Sequence, residues 1–589
     1  MDKRRTSSHR HDDSIWIAID FETSGVNKYN CKIVGVGLQE FNIETGVLGL
    51  KQFQQDIIPE QIFDCPVVMH NAVFDYFLAE YRLGWKFKKP IHDTYFMAKH
   101  ICNTWPAYDL KSLAWFQWGE IYPELLALKK WFRENSEDDD EDLMDLSKPP
   151  IELVKAYCLK DVQVTAGLAT EYWKKVKDNY AYELDCATIK RTVRTTTRGI
   201  AVDLPFYQDF LRLGKRRIKY NKDMAGTRIG TDKNPMGNAL REHLSEIGEK
   251  RKTLKGHVRA DDVVLRDWKK KDKAIGSVGR VRTDTHTLSH FVKHVLAVSV
   301  PLKDTPSVGV FHPNLRQSAA ITRRYTSKGF YGDDGSEAKG NTQNFPDEMR
   351  EGIIAHPGYD FWKLDLASIE ARMFSAYMEM LMGEHFFAEM YRKNPTFNPY
   401  VYVLRECAGV KDASKKHELY TPYKHGTLGR LYGSSPERFS IQLREDFEID
   451  YDVDRCEDIY KSIDRRCPFI RKFQRFVTRI VETTGSISDP FGAIYYVPST
   501  EFYKAVAYLC QGSAGNVLKW WWGEVDLPMQ DAGDWIVNVV HDEFDTEILK
   551  GRGSKARVMG YCDALDKLDI FGIPIRAEAS TGKNWKECG

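Results

Sequence analysis

The sequence predicts a multidomain protein of α/β and α+β class, and three patterns carry that expectation. Up to about residue 180, short apolar runs of period two alternate with stretches of helical period. From Glu183 onward the chain turns helix-rich, with Leu184, Ala187 and Ile189 at helical spacing, so a domain boundary is expected near residue 180. In the second part, two apolar runs stop at acids. Asp534-Trp-Ile-Val-Asn-Val-Val-His541-Asp542-Glu543-Phe-Asp545-Thr-Glu547 reads as two strands meeting at an acidic tip, and Phe361-Trp-Lys-Leu-Asp365-Leu delivers an aspartate to the helix holding Glu370 and Arg372.

Size and composition narrow the class. A chain of 589 residues with 42% apolar content holds roughly three to five packed domains or subdomains. Lys plus Arg total 85 against 84 Asp plus Glu, so a formal charge of +1 gives no whole-chain sign of a nucleic-acid binder. No apolar run approaches the ~20 residues that span a bilayer, and the polar, basic residues 1–13 lack the core of a signal peptide, so a soluble, cytoplasmic protein without membrane partners is expected. The 11 cysteines show no metal-site spacing and read as reduced thiols. Residues 1–13 read as a tail and the acidic residues 134–141 as a solvated loop.

Clustered acids restrict the chemistry. Two carboxylates about 4 Å apart repel by about 4 kcal/mol at an effective dielectric of about 20, so a cluster must protonate, disperse or hold a cation. Oxygen-only ligands suit Mg²⁺, with Mn²⁺ as a substitute, and such ions complete their shell with substrate phosphates. Phosphoryl transfer is the chemistry expected of Asp365 and Asp542.

A second set of acids lies upstream. In Ile15-Trp-Ile-Ala-Ile-Asp20-Phe-Glu22-Thr the two acids are two residues apart on a strand and share a face. Val67-Val-Met-His70-Asn71-Ala-Val-Phe74-Asp75 is a strand entering a helix, and Tyr157-Cys-Leu-Lys-Asp161 puts Tyr and Asp on one helix face. These three motifs, in this order, resemble those of the DEDDy 3′–5′ exonucleases. The resemblance implies a ribonuclease H-like domain over 1–180, in which Asp20, Glu22, Asp75 and Asp161 hold two metals about 3.5–4 Å apart and Tyr157 positions the attacking water. Val73 stands where many relatives carry Lys.

Basic clusters at Lys215, Arg216, Arg217 and Lys219, and at Lys269, Lys270, Lys271 and Lys273, flank the Gly-containing loop 226–237 in a layout suited to duplex phosphates or to a solvated helix face. The rest of the chain resembles the family A (Pol I type) DNA polymerases. Phe-His312-Pro-Asn-Leu-Arg-Gln317 through Arg324 to Ser327, followed by Gln343-Asn344, is similar to the primer-template segment, which implies DNA contacts by His312, Gln317, Arg324, Gln343 and Asn344. Arg324 would test base-pair geometry in the minor groove, where acceptors are alike for every correct pair.

Asp365 with Glu370 resembles motif A, and His541-Asp542-Glu543 motif C. Asp365 and Asp542 would hold both polymerase metals, Glu543 would support them, and Glu370 would be the steric gate against a 2′-hydroxyl. Tyr423-Lys424-His-Gly-Thr-Leu428-Gly-Arg430-Leu-Tyr432-Gly433 resembles motif B, implying nucleotide contacts by Lys424, Leu428 and Tyr432 and a template contact by Gly433. Tyr420 replaces a family Arg and Leu428 a stacking aromatic, so weak nucleotide binding is expected, with Lys415, Lys416, His425 or Arg430 as substitute charges. Gln511-Gly512 resembles a duplex-binding helix, and with His541 completes the DNA contacts. There the family Arg and Asn are Tyr503 and Ala507, with Lys504 as a substitute.

The resemblance implies a polymerase right hand: thumb at 181–310, palm at 311–375 and 486–589, and fingers at 376–485. The expected activity is template-directed DNA synthesis on primer-template DNA from deoxynucleoside triphosphates, with proofreading. A monomeric bacteriophage replicative enzyme in the host cytoplasm is expected, with room for processivity or replisome partners. No 5′ nuclease segment is seen ahead of the exonuclease motifs. An enzyme that is chiefly an exonuclease, or a scaffold retaining the fold, would be expected to have lost Asp365, Glu370, Lys424 or Asp542, and none is lost.

Overall fold

A computed structural model describes residues 14–135, 145–226, 238–253, 256–269 and 271–589. The tail 1–13, most of the acidic stretch 134–141, most of the loop 226–237, and Lys270 lie outside them.

The N-terminal unit is a five-stranded sheet in the order Leu48–Gln54, Ile33–Asn42, Ile15–Thr23, Val67–Met69, Ile91–Asp93. The first three strands are antiparallel, and the last two run parallel to the central Ile15–Thr23. Helix Ile151–Val176 crosses this sheet closely because Gly37 has no side chain: a Cβ there would lie 2.8 Å from Cys158 Sγ and 2.9 Å from Val162 Cγ1. That approach brings the helix face holding Tyr157 and Asp161 over the end of the strand holding Asp20 and Glu22.

Asn179 caps the next helix, Tyr180–Arg198, accepting from Tyr182 N–H. This helix packs against the long helix Ala505–Ala532 and strand Trp535–Val540, and strand Ile200–Asp203 pairs with Val308–Arg316 and Ile353–Ile354. Residues 180–203 therefore pack with the segment expected to be palm. The helices expected to be thumb start at Leu204–Ala225, later than residue 181, and continue with Lys273–Thr287.

A buried charge network pins the two halves together. Lys519 Nζ lies 2.5 Å from Asp185 Oδ1 and donates to the Arg323 carbonyl at 2.8 Å, while His100 Nε2 meets Asp185 Oδ2 at 2.8 Å. Lys519 and Asp185 are wholly buried, and Lys519 with its partners holds the Asp185 carboxyl below the usual range against the cost of burial. Lys519→Met would strand a buried carboxylate, and equilibrium denaturation should show a loss of about 3–5 kcal/mol.

The second half centres on a four-stranded antiparallel sheet ordered Trp535–Val540, Glu543–Leu549, Tyr359–Leu366, Ala577–Gly582. Asp365 faces Glu543 across it, and the chain turns at His541 and Asp542. Between strands Tyr359–Leu366 and Trp535–Val540 the chain builds a helical subdomain from Ile369–Met382 to Pro468–Thr484. Helix Tyr420–Leu431 lies inside it, despite two interior glycines that weaken a helix by about 1 kcal/mol each. Both make room for neighbours: a Cβ on Gly429 would lie 2.3 Å from Tyr460 Oη, and one on Gly426 3.0 Å from Ile459. Among the described residues, no helix is long and apolar enough to cross a membrane.

Two candidate carboxylate active sites

In the N-terminal unit, Asp20, Glu22 and Cys158 bring ligand atoms within 4.8 Å of one another. Asp75 accepts from the Phe21 N–H at 3.0 Å, which ties the helix of the second motif to the strand of the first. Asp161 completes the group from helix Ile151–Val176. Burial pushes Asp20 up to about 7, with Asp161 adding to the shift. Burial with Asp20 nearby raises Glu22 and Asp75 well above their ordinary values. Glu22 Oε1 and Asp161 Oδ1 are buried without a hydrogen-bond partner. Crowded, buried, partly orphaned oxygens fit a divalent cation.

Lys111 is the residue that sequence reading missed. Its Nζ lies 2.5 Å from Asp161 Oδ2 and 4.6 Å from the Tyr157 ring centroid. It comes from helix Leu110–Trp118, capped by Asp109, at no motif-like distance from the acids, so only the fold reveals it. Tyr157 is buried beside Asp161, and burial raises its phenol well above the ordinary value. His70 and Asn71 play supporting parts. His70 Nδ1 meets Thr94 Oγ1 at 2.8 Å, and Asn71, in the left-handed region at φ 61°, donates its N–H to Asp93 Oδ1 at 2.9 Å.

The second site sits at the tip of the four-stranded sheet. His541 takes φ 51° in the turn, and the Leu366 N–H donates to the Asp542 carbonyl at 3.1 Å, locking Asp542 beside the end of the Asp365 strand. Burial pushes Asp365 up to about 7, with Glu543 and Asp542 adding to it and Lys363 opposing. Arg324 Nη2 lies 2.9 Å from Asp542 Oδ2 and 3.9 Å from Glu370 Oε1, while Asp542 Oδ1 has no partner. A Cβ on Gly515 would be 3.3 Å from Arg324 Cγ, so the glycine leaves space for this arginine. Burial raises Glu370; Arg324, then Gln511 and Tyr432, oppose the shift. Asp365, Asp542, Glu370, Arg324, Gln511 and Tyr432 thus converge on one place.

The other acids of this hairpin have partners of their own, although Glu543 lies close enough to Asp365 to raise it. Glu543 pairs with Lys363 on the neighbouring strand at 3.5 Å. Asp545 accepts from Asn538 Nδ2 at 3.0 Å, and Glu547 is held by Arg198 at 2.7 Å and His356 at 2.6 Å.

Two residues expected to contact DNA are buried in the protein. His312 is 2% exposed with both ring nitrogens engaged, by the Thr196 carbonyl at 2.7 Å and Asp333 at 2.8 Å, and it stacks on Tyr29 of the N-terminal unit. Gln317 is 4% exposed and donates to Thr188, Thr192 and Tyr325. Both side chains join segments of the protein, and the Gln317 amide oxygen is buried without a partner. Gln343 bridges the carbonyls of Tyr325 at 3.0 Å and Val539 at 3.4 Å, while Asn344 and His541 are exposed.

On helix Tyr420–Leu431, Tyr420, Lys424 and Leu428 share a face at four-residue spacing, and all three are partly exposed. The substitute charges fare unequally. Arg430 is paired with Asp464 and the His425 ring lies tilted against Phe447 at 4.3 Å, whereas Lys415 and Lys416 are exposed ahead of the helix. Lys504 lies 2.5 Å from Glu501, so its charge is already matched. Gly433 abuts Tyr503, where a Cβ would lie 3.2 Å away.

The chain thus combines an antiparallel sheet with paired acids at its tip and a helix carrying a partly exposed lysine, Lys424. The family model of DNA polymerase family A matches residues 218–587, more than half of the chain, and the chain belongs to that family. In fold it is similar to the "POL domain of Pol1 from M. smegmatis complex with DNA primer-template and dNTP", with a TM-score of 0.72 and 17% identity over 98% of this chain and 96% of that one. No curated protein matches it.

Proposed function

We propose that this family A polymerase extends a primer 3′ end on a DNA template with deoxynucleoside triphosphates, and that its N-terminal unit removes mismatched ends as a ribonuclease H-like 3′–5′ exonuclease. The reading includes the bacteriophage replicative type, acting in the host cytoplasm, on the strength of sequence resemblance. The observation that carries the two-site reading is the pair of separate carboxylate groups, Asp20, Glu22, Asp75 and Asp161 in one unit and Asp365 with Asp542 in the other. Sheet order and strand directions in the N-terminal unit support the exonuclease part.

Divalent cations held by these carboxylates would supply charge stabilisation and an activated oxygen nucleophile in each site. The chain's own residues do the positioning. Arg324, now on Asp542, is placed to reach the primer terminus. Glu370, packed against Tyr432 and Gln511, is placed to exclude a 2′-hydroxyl. Lys424 supplies the positive charge for a triphosphate, and Lys111 balances Asp161 and orients Tyr157 beside it.

The test is extension of a labelled primer with a mismatched 3′ end. Wild type should trim and then extend, Asp75→Ala should stall at the mismatch, and Asp542→Ala should only degrade. Failure of every variant and of wild type to extend a matched primer at high nucleotide would sink the polymerase reading. A further expected result concerns Leu428. Base–aromatic stacking contributes about 1–3 kcal/mol, so Leu428→Phe should lower the nucleotide KM roughly fivefold or more in steady-state extension.

A further inference from the structure

The thumb helices and the fingers touch far from the palm carboxylates. At the thumb tip, Arg251 joins Glu249 and Asp267 at 2.6 Å each, and Trp268 Nε1–H donates to Glu249 at 2.8 Å, so this corner is internally braced. Helix Asp262–Trp268 then presents Arg266, whose Nη1 donates to the carbonyls of Arg444 and Glu445, both at 2.6 Å. These belong to the last turn of fingers helix Pro436–Phe447, where carbonyls lack partners within the helix and the dipole favours a cation. One residue beyond, Glu448 ends the helix at φ 56° and meets Lys269 Nζ at 2.6 Å. Beside these bonds a cleft of about 340 Å³ separates Arg251, Trp268 and Lys271 from Arg444 and Asp450, so the two tips meet at a few polar points.

The contact closes a circuit. The thumb base is fixed to the palm side by Tyr207 Oη, which donates to the Met349 carbonyl at 2.8 Å. On the other side, the palm runs into the fingers through helix Ile369–Met382, which carries Glu370. We infer that Arg266 and Lys269 of the thumb and the Arg444–Glu448 end of the fingers helix form a breakable clasp that encircles bound primer-template, giving the enzyme a tether of its own. The inference rests on the polymerase reading above.

The strength of the contact suits the role. An exposed ion pair biases an equilibrium about two- to fivefold, and a cation at a helix C-terminus by a similar factor. The closed form is favoured by roughly tenfold, enough to hold DNA through many additions and weak enough to open for loading. Because the Lys269–Glu448 pair is charged and exposed, salt should loosen the clasp.

The experiment uses Lys269→Cys with Glu448→Cys, bridged by a short bismaleimide, with wild type and each single variant as controls for the native thiols. Bridging after the enzyme is loaded on primed circular single-stranded DNA should leave it bound through a wash in about 1 M salt, and one cut in the circle should release it. Bridging before DNA is added should block loading on circles while leaving linear primer-template usable. Equal loss from intact and cut circles, or equal loading of pre-bridged enzyme on circles, overturns the clasp. Single-nucleotide addition on a short linear primer-template is scored separately, so a defect there counts against the polymerase reading and not the tether. Without cross-linking, Lys269→Glu should shorten the product of one binding event about threefold, and adding Glu448→Lys should restore it.

Discussion

Asp542→Ala is expected to lower primer extension by about 10³–10⁴-fold while leaving 3′ trimming at the wild-type rate, as read from extension of a matched primer and degradation of a mismatched one. The residue sits at the sheet tip with one carboxylate oxygen on Arg324 and the other unpartnered, beside an Asp365 pushed up to about 7. Removing it leaves Asp365 without its neighbouring aspartate at the tip and releases Arg324 from its present partner. Its hairpin neighbour gives the internal control. Asp545 is buried, accepts from Asn538, and is raised well above the carboxylate range by burial and by Glu543. Asp545→Asn keeps that shape and an oxygen to accept from Asn538, and should hold extension within about threefold of wild type, the size of effect a change of less than 1 kcal/mol gives. Equal losses in the two variants would mean that the tip is not the site of the chemistry.

That contrast shows where sequence alone stops. Alternation along Glu543–Leu549 places Glu543, Asp545 and Glu547 on one strand face, and nothing in the pattern separates them from Asp542. The distinction arises from partners distant in sequence: Lys363, Asn538, Arg198 and His356 neutralise the row and leave Asp542 in the turn. The strands that deliver Asp20, Glu22 and Asp365 were legible because period-two apolar runs ending on acids have few other uses. The burial of His312 and Gln317 was not legible. A motif segment can face DNA with some side chains while others bind the protein together, and here His312 stacks on Tyr29 and Gln317 bonds to Thr188 and Thr192. Lys111 was invisible because no periodicity links it to Asp161; helix Leu110–Trp118 brings it there only once it packs on Ile151–Val176.

Asp20→Asn carries the second large effect, a loss of exonuclease activity of about 10³-fold or more with extension of matched primers retained. The same variant should behave unusually in stability. In the wild-type protein without divalent ions, burial and the neighbouring Asp161 raise Asp20 from 3.8 to about 7, so the folded state holds a proton that the unfolded chain has released. Such a group gives its full stability below pH 3.8 and loses it as pH rises towards about 7, since the folded form binds more protons across that window. At neutral pH the site is a local cost, which Mg²⁺ bound to the folded form alone would relieve. Asn at position 20 removes one of the repelling charges. Thermal unfolding in chelator at pH 8 should therefore show Asp20→Asn melting about 2–4 °C above wild type, with the gap closing at pH 5. Millimolar Mg²⁺ should raise the wild-type Tm more than that of the variant. A variant that melts below wild type in chelator would show that Asp20 is held by internal partners and is not waiting for a cation. The exonuclease assignment would then have to rest on Glu22, Asp75 and Asp161 without it.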